Sequence, residues 1–153
     1  MKKCGLVIFI ILVVGCVVLF FGTKNRISRN TNSVIHTYAG IALEKIALWD
    51  PAELQYRAAL KSDPGNASAL KGLAMVYFGK KRYDSAVTFI NRALSKDKHW
   101  VKGYLHRAKV FEAKKDFPYA IASYKKYLAE SPDLSSASRY IIEQKISKLS
   151  TGI

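Results

Sequence analysis

Cysteine is confined to one end of this chain. Cys4 and Cys16 are the only two, so nothing beyond residue 16 can form a disulfide or a thiolate metal site. Acid is missing from the same end, since all 11 acidic residues lie between Glu44 and Glu143. The three histidines, His36, His99 and His106, have no cysteine partner and no metal-ligand spacing. No glycine-rich phosphate loop occurs, and no serine, histidine and aspartate fall into a recognisable nucleophile setting. With these patterns lacking, the expectation is a protein that is not an enzyme and needs no cofactor or metal. Asn66-Ala67-Ser68 matches a glycosylation sequon, a pattern too short to weigh by itself.

The chain has 153 residues, enough for one compact domain and an appendage. It carries 25 cations and 11 acids, a net charge of +14. Five of the cations (Lys2, Lys3, Lys24, Arg26, Arg29) flank an apolar run, which leaves an excess of about nine on the rest. An excess of that size favours acidic partners or anionic lipid headgroups. Solvated lysine faces account for it equally well, and nucleic acid is not an expected partner.

Gly5 to Gly22 is a run of 18 uncharged residues rich in Val, Ile, Leu and Phe. Three readings stand. A cleaved signal peptide has an apolar stretch of about 7–15 residues and a small-x-small cleavage site, whereas this run ends Leu19-Phe20-Phe21-Gly22. Val13-Val14-Gly15-Cys16 resembles the bacterial lipobox, which makes Cys16 a candidate for lipidation, although the bulky residues that follow are unlike a mature lipoprotein. The favoured reading is an uncleaved transmembrane anchor over residues 1–23, because about 17–25 apolar residues of helix cross a bilayer. Residues 24–32 then form a basic polar linker. Lys2 and Lys3 nearly balance Lys24, Arg26 and Arg29. The short charged head is hard to push across a membrane, so the domain is expected outside the cytoplasm, on the periplasmic side.

Beyond the linker a period of 34 residues emerges. Trp49, Tyr83 and Phe117 share it, as do Ala52, Ala86 and Ala120, and Leu60, Leu94 and Leu128. Independent columns with one period mark stacked supersecondary units. Each unit reads as two helices. Asp50-Pro51-Ala52-Glu53 offers an N-cap, a first-turn proline and a capping-box glutamate. Ser62-Asp63-Pro64-Gly65-Asn66 breaks the chain, and Asn66 can cap the next helix. Gly40, Ala74 and Ala108 recur on the first helices, Ala52, Ala86 and Ala120 on the second, where antiparallel helices must approach closely. Tyr56, Ile90 and Tyr124 lie one turn further on the same face. Residues 135–149 read as a capping helix, with Ala137, Ile141, Ile142, Ile146 and Leu149 towards one side and Arg139, Lys145 and Lys148 more exposed.

This pattern resembles the tetratricopeptide repeat. The unit 67–100 supplies Leu70, Leu73, Ala74, Tyr77, Ala86, Ile90 and Ala93. The unit 101–134 supplies Tyr104, Ala108, Phe111, Ala120, Tyr124 and Pro132, with Arg107 and Tyr127 where apolar and small residues are usual. The unit 33–66 supplies Gly40, Leu43, Ala52, Tyr56, Ala59 and Pro64, with His36 and Ala39 at its opening large positions. The resemblance implies an all-α fold, namely an α-solenoid of three helix pairs over 33–134; with the C-terminal cap and the N-terminal transmembrane helix read above, this completes the expected architecture. The resemblance also implies a concave groove for a peptide or partner helix. That groove would contain Ile41, Lys71, Met75, Phe78, Lys102, Leu105 and Lys109, together with Val34, Thr37 and Glu112.

Three lysines among apolar residues suit a segment bearing acidic groups. Some adaptors of the family hold a C-terminal carboxylate with a Lys/Asn/Asn/Lys/Arg clamp. Here Lys102 matches the fourth member, His106 stands in place of the arginine, and Thr37, Ile41 and Gly72 cannot supply the remaining donors. A membrane-tethered adaptor for a protein partner is therefore the expected function, for example in assembly of an envelope complex. The alternative is a membrane-surface structural protein or lipoprotein with its basic face on anionic lipid.

Overall fold

The computed structural model describes residues 28–151, which form helices and turns with no strand among them. Helix α1 covers residues 28–45. Six more follow: α2 (Trp49–Ser62), α3 (Ala67–Gly79), α4 (Tyr83–Lys96), α5 (Lys102–Ala113), α6 (Phe117–Ala129) and α7 (Ser136–Thr151). Within repeats α3 packs on α4 and α5 on α6, and α2 on α3, α4 on α5 and α6 on α7 join one unit to the next. The anchor expected over 1–23 and Cys16 lie outside the described residues. Among the described residues no helix is long and apolar enough to cross a membrane. Residues 28–32, expected as linker, are already helical and continuous with the first repeat.

Close packing explains the small-residue columns. Ala52, Ala74, Ala86, Ala108 and Ala120 have no accessible surface. The Tyr56 ring lies between α1 and α3, and it can do so only because both helices present glycine to it. A Cβ on Gly40 would sit 2.7 Å from the ring, and one on Gly72 would sit 2.1 Å away. The Tyr56 hydroxyl donates to Glu44 at 2.6 Å. Two periods on, Tyr124 donates to Glu112 at the same distance. Burial first, then the carboxylate partner, pushes both phenol pKa values up, so both hydroxyls remain donors.

The turn inside each repeat is one motif made three times. Ala47, Lys81 and Lys115 adopt positive φ values of 56°, 58° and 63°. In each turn the left-handed residue donates back three positions and its successor donates back five, as in Lys81 to Phe78 and Arg82 to Tyr77. This is the Schellman geometry, which satisfies the last carbonyls of the first helix and reverses the chain. It also displaces the expected cap. The N-cap of α2 is Leu48, with no side-chain cap, and Asp50 lies inside the first turn. Glu53 reaches no backbone amide at a capping box. It accepts from the Tyr77 hydroxyl at 2.7 Å and from Lys80 at 2.8 Å, so it bridges two repeats instead.

The turns between repeats depend on side chains. Asp63 accepts from the Gly65 amide and Asp97 from the His99 amide, both at 3.0 Å. Asn66 caps α3 by accepting from the Ala69 amide at 3.0 Å. Its Nδ2 donates to Ser33 at 2.8 Å and Thr37 at 3.1 Å on α1, so the nitrogen that a glycan would need is occupied.

The closing helix is rotated relative to the sequence-based expectation. Ala137 and Ile141 are exposed, and the packed side instead holds Arg139, Ile142, Lys145, Ile146 and Leu149, each partly buried. Two cations take that side because their long stems cover apolar surface while their heads find acceptors. Arg139 donates to the Ser131 carbonyl at 3.1 Å, and Lys145 meets Glu112 at 3.0 Å.

Candidate partner-binding groove

A hollow of about 370 Å³ opens where the first helices of the three repeats approach one another. Ile41, Glu44 and Lys45 come from α1, Ser68, Lys71, Gly72 and Met75 from α3, and His106 from α5, with Trp100 leading into α5. Tyr56, wedged between the two glycines, is its floor. A second hollow of about 220 Å³ continues along α1 past Val34, Thr37 and Tyr38, sharing Ile41 and Ser68 with the first. The two hollows adjoin at these residues and form one groove along α1 and α3.

The electrostatics of the groove are more balanced than a count of lysines implies. Lys71 pairs with Asp97 at 2.6 Å and lies 5.1 Å from the centre of the Trp100 ring. The Lys71 hydrogen bond holds the Asp97 carboxyl below its ordinary range. Glu44 and Lys45 both lie at the rim, and Glu44 accepts from the Tyr56 hydroxyl. His106 stacks on Trp100 with ring centres 5.8 Å apart. Burial first, then Lys109 and Lys102, pushes its pKa below the ordinary histidine value, so its ring is neutral at neutral pH. The floor is therefore apolar and aromatic, with one fixed cation at its edge.

Of the residues placed in the groove by resemblance, Ile41, Lys71 and Met75 line the larger hollow. Val34 and Thr37 line the smaller one, but Thr37 is 5% exposed and its hydroxyl is used internally, donating to the Ser33 carbonyl at 2.7 Å. Phe78 turns inward, its ring 6.2 Å from that of Tyr83. Lys102 belongs to a separate hollow of about 420 Å³ between the last two inter-repeat turns. Leu105 is partly buried, Lys109 is exposed and Glu112 is engaged with Tyr124 and Lys145; none of the three lines any of these hollows. The carboxylate-clamp positions do not converge on donors either: Thr37 is engaged, Ile41 is apolar, and Gly72 supports Tyr56.

Trp100 and Tyr38 were missed by the sequence reading. Trp100 ends its unit in a turn, one period after Asn66, and nothing in the spacing aims it at the groove. Among the described residues no three His, Cys, Asp or Glu side chains cluster as metal ligands would.

Comparison with known proteins agrees with this architecture. Residues 39–99 match the tetratricopeptide repeat family model. No curated protein sequence matches the chain. The tetratricopeptide domain of Arabidopsis OM64 superposes with a TM-score of 0.70 at 24% identity, covering 78% of this chain and 98% of that one. The TPR2B domain of yeast Sti1, in a complex with Hsp70, gives 0.70 at 20% identity, covering 80% and 99%. The first such domain of Spaghetti (RPAP3), bound to the HSP90 peptide SRMEEVD, gives 0.70 at 20%, covering 80% and 94%. The described chain thus has the all-α solenoid fold of tetratricopeptide repeat domains, and residues 39–99 carry the sequence signature of that family.

Proposed function

We propose that this protein is a binding module whose concave groove receives a segment of a partner protein, held near a membrane by its N-terminal apolar run, with the repeats outside the cytoplasm. The observation that carries the binding role is the hollow floored by Tyr56 and walled by Ile41, Met75, Trp100 and His106. A pocket of this size and apolar lining accepts one large side chain, and a few polar groups at the rim fix its direction. Lys45 supplies that rim beside Lys71, which Asp97 already pairs, so an acidic residue flanking the anchor side chain and meeting Lys45 suits it. The neighbours found with an HSP90 peptide and with pHsp70 support a peptide ligand.

The groove of this chain reads such a ligand differently. With the clamp positions occupied by Thr37, Ile41 and Gly72, a free C-terminal carboxylate finds no ring of donors. The heptapeptide SRMEEVD is therefore expected to bind this protein at least about tenfold more weakly than it binds the Spaghetti domain. Equal affinity would show that a terminal carboxylate is recognised after all.

The binding role itself is tested by placing a photoactivatable residue at Met75, or at Lys125 on α6, in the full chain in its own cells. Adduct formation at Met75 and not at Lys125 is expected; the reverse pattern would remove the groove from consideration. Protease treatment of cells with an opened outer barrier and a sealed inner membrane tests the tether and its orientation. Digestion of the repeats is expected, and protection until detergent is added would place them inside.

A further inference from the structure

A solenoid stacks by burying one face of each first helix against the preceding repeat. In the second repeat that face includes Ala69, Gly72 and Val76, all buried. One period earlier, the equivalent positions on α1 are Ile35, Tyr38 and Ala42, followed one turn later by Ile46. Ile35, Tyr38 and Ala42 form a single helical stripe, and Ile46 extends it just beyond the end of α1. Among the described residues nothing covers it: Ile35 is 58% exposed, Tyr38 69% and Ile46 65%. A terminal repeat facing water ordinarily carries polar residues there, and this one carries two isoleucines and a tyrosine.

The geometry points to a second copy of this chain as the occupant, with the two α1 helices packed antiparallel about a two-fold axis. Two observations select it. First, the stripe is self-complementary. The pair Tyr38/Ala42 is centred on residue 40 and Ile35/Ile46 half a residue further on, about 0.75 Å along the helix, so one two-fold axis near residue 40 places Tyr38 over the small Ala42 of the partner and Ile35 close to the partner's Ile46. Large against small across the axis is the arrangement that interdigitating helices need, and a two-fold interface uses one patch on both molecules. Second, residues 30–43 carry no charge, the longest such stretch among the described residues of a chain with net charge +14. Two copies repel each other over most of their surfaces and can approach along this one.

Stable interfaces bury about 800 Å² per partner. Three large side chains with their neighbours fall below that, which makes this a weak, concentration-dependent dimer. The larger hollow opens on Ile41, Met75 and Trp100 and lies off this stripe, whereas Tyr38 also lines the smaller hollow, so a ligand reaching that hollow competes with the dimer.

The test uses the full chain in neutral detergent with Cys4→Ser and Cys16→Ser. Sedimentation equilibrium is expected to show a monomer–dimer balance. Ile35→Lys with Tyr38→Lys should weaken it at least about tenfold, whereas Leu54→Lys, equally exposed on α2, should leave it unchanged. In the same background, a mixture of Ile35→Cys and Ile46→Cys chains should give more disulfide-linked dimer on mild oxidation than either chain alone. That readout does not depend on the lysine variant being folded. A chain that stays monomeric at a few hundred micromolar would overturn the inference. So would a dimer that the lysine pair does not weaken, since the contact would then lie elsewhere, including the apolar run of residues 5–22.

Discussion

Replacing Lys81 by glycine should stabilise the protein, although it removes a whole side chain. Lys81 sits at φ 58° in the turn between α3 and α4. An L-residue in that left-handed region crowds its Cβ against the following carbonyl, at a cost of roughly 1–2 kcal/mol. Glycine has no Cβ and avoids the cost, but it adds back about 0.4–1 kcal/mol through the greater freedom of the unfolded chain. The Schellman bonds from residues 81 and 82 to Phe78 and Tyr77 are made by backbone and survive the change. The net expected gain is about 0.5–1 kcal/mol, or a melting temperature higher by roughly 2–6 °C for a domain of this size. Lys115→Gly should match it, and Ala47→Gly should fall slightly short, because alanine has less side-chain freedom to lose on folding. Urea unfolding followed by far-ultraviolet circular dichroism measures this, with an unchanged m-value showing that the effect is on stability alone. Lys81→Val is the opposite control and should lose about 1 kcal/mol or more, since a β-branched residue is least tolerant of positive φ. A destabilised Lys81→Gly would refute the strain argument and mean that the lysine stem packs usefully on the turn.

Gly72→Ala should cost roughly 2–4 kcal/mol in the same assay, because its Cβ would meet the Tyr56 ring at 2.1 Å and a packed core relieves such a clash poorly. Adding Tyr56→Ile should recover much of the loss, since Ile90 and His106 occupy the corresponding positions one period later. Glu53→Gln should cost about 2 kcal/mol at neutral pH, as hydrogen bonds to a charged partner are worth more than neutral ones. Burial raises the Glu53 pKa, yet the hydrogen bonds from Lys80, Tyr77 and Arg57 outweigh it and bring it from 4.5 down to about 2. The folded value is thus depressed, so the stability it provides is fully present above pH 4.5 and lost as pH falls through about 2. The gap between wild type and Glu53→Gln should close over that window, and a constant gap down to pH 2 would show that the carboxylate charge is not what matters.

Much of this fold could be read from the chain because each of its signals recurs at a fixed interval. The alanine columns, the Tyr56 and Tyr124 positions and the breaks at Pro64 and Pro132 each constrain the same helix pairs, and such agreement outweighs any single motif. The failures have a common cause. The Asp50 cap and the Glu53 capping box were local readings, and the Schellman turn ahead of them moved the helix start to Trp49. The face of α7 was read from apolar residues alone, whereas Arg139 and Lys145 pack along their stems and find acceptors. In the groove, Ile41, Lys71 and Met75 follow the period and line the hollow. Phe78 shares the period but turns inward to Tyr83. Trp100 reaches the hollow from a turn, where helical periodicity carries no information about direction. The pairing of Lys71 with Asp97 also joins residues 26 apart, one on α3 and one in the turn after α4, which no spacing rule reveals.

Hydrogen exchange of the full chain, alone and with the partner recovered through the Met75 adduct, tests the groove most directly. Added protection is expected at residues 41–45, 68–75 and 100–106, the three stretches that meet around Tyr56. Protection confined to α4 and α6, with those three stretches unchanged, would contradict the assignment and move the binding surface to the other side of the solenoid.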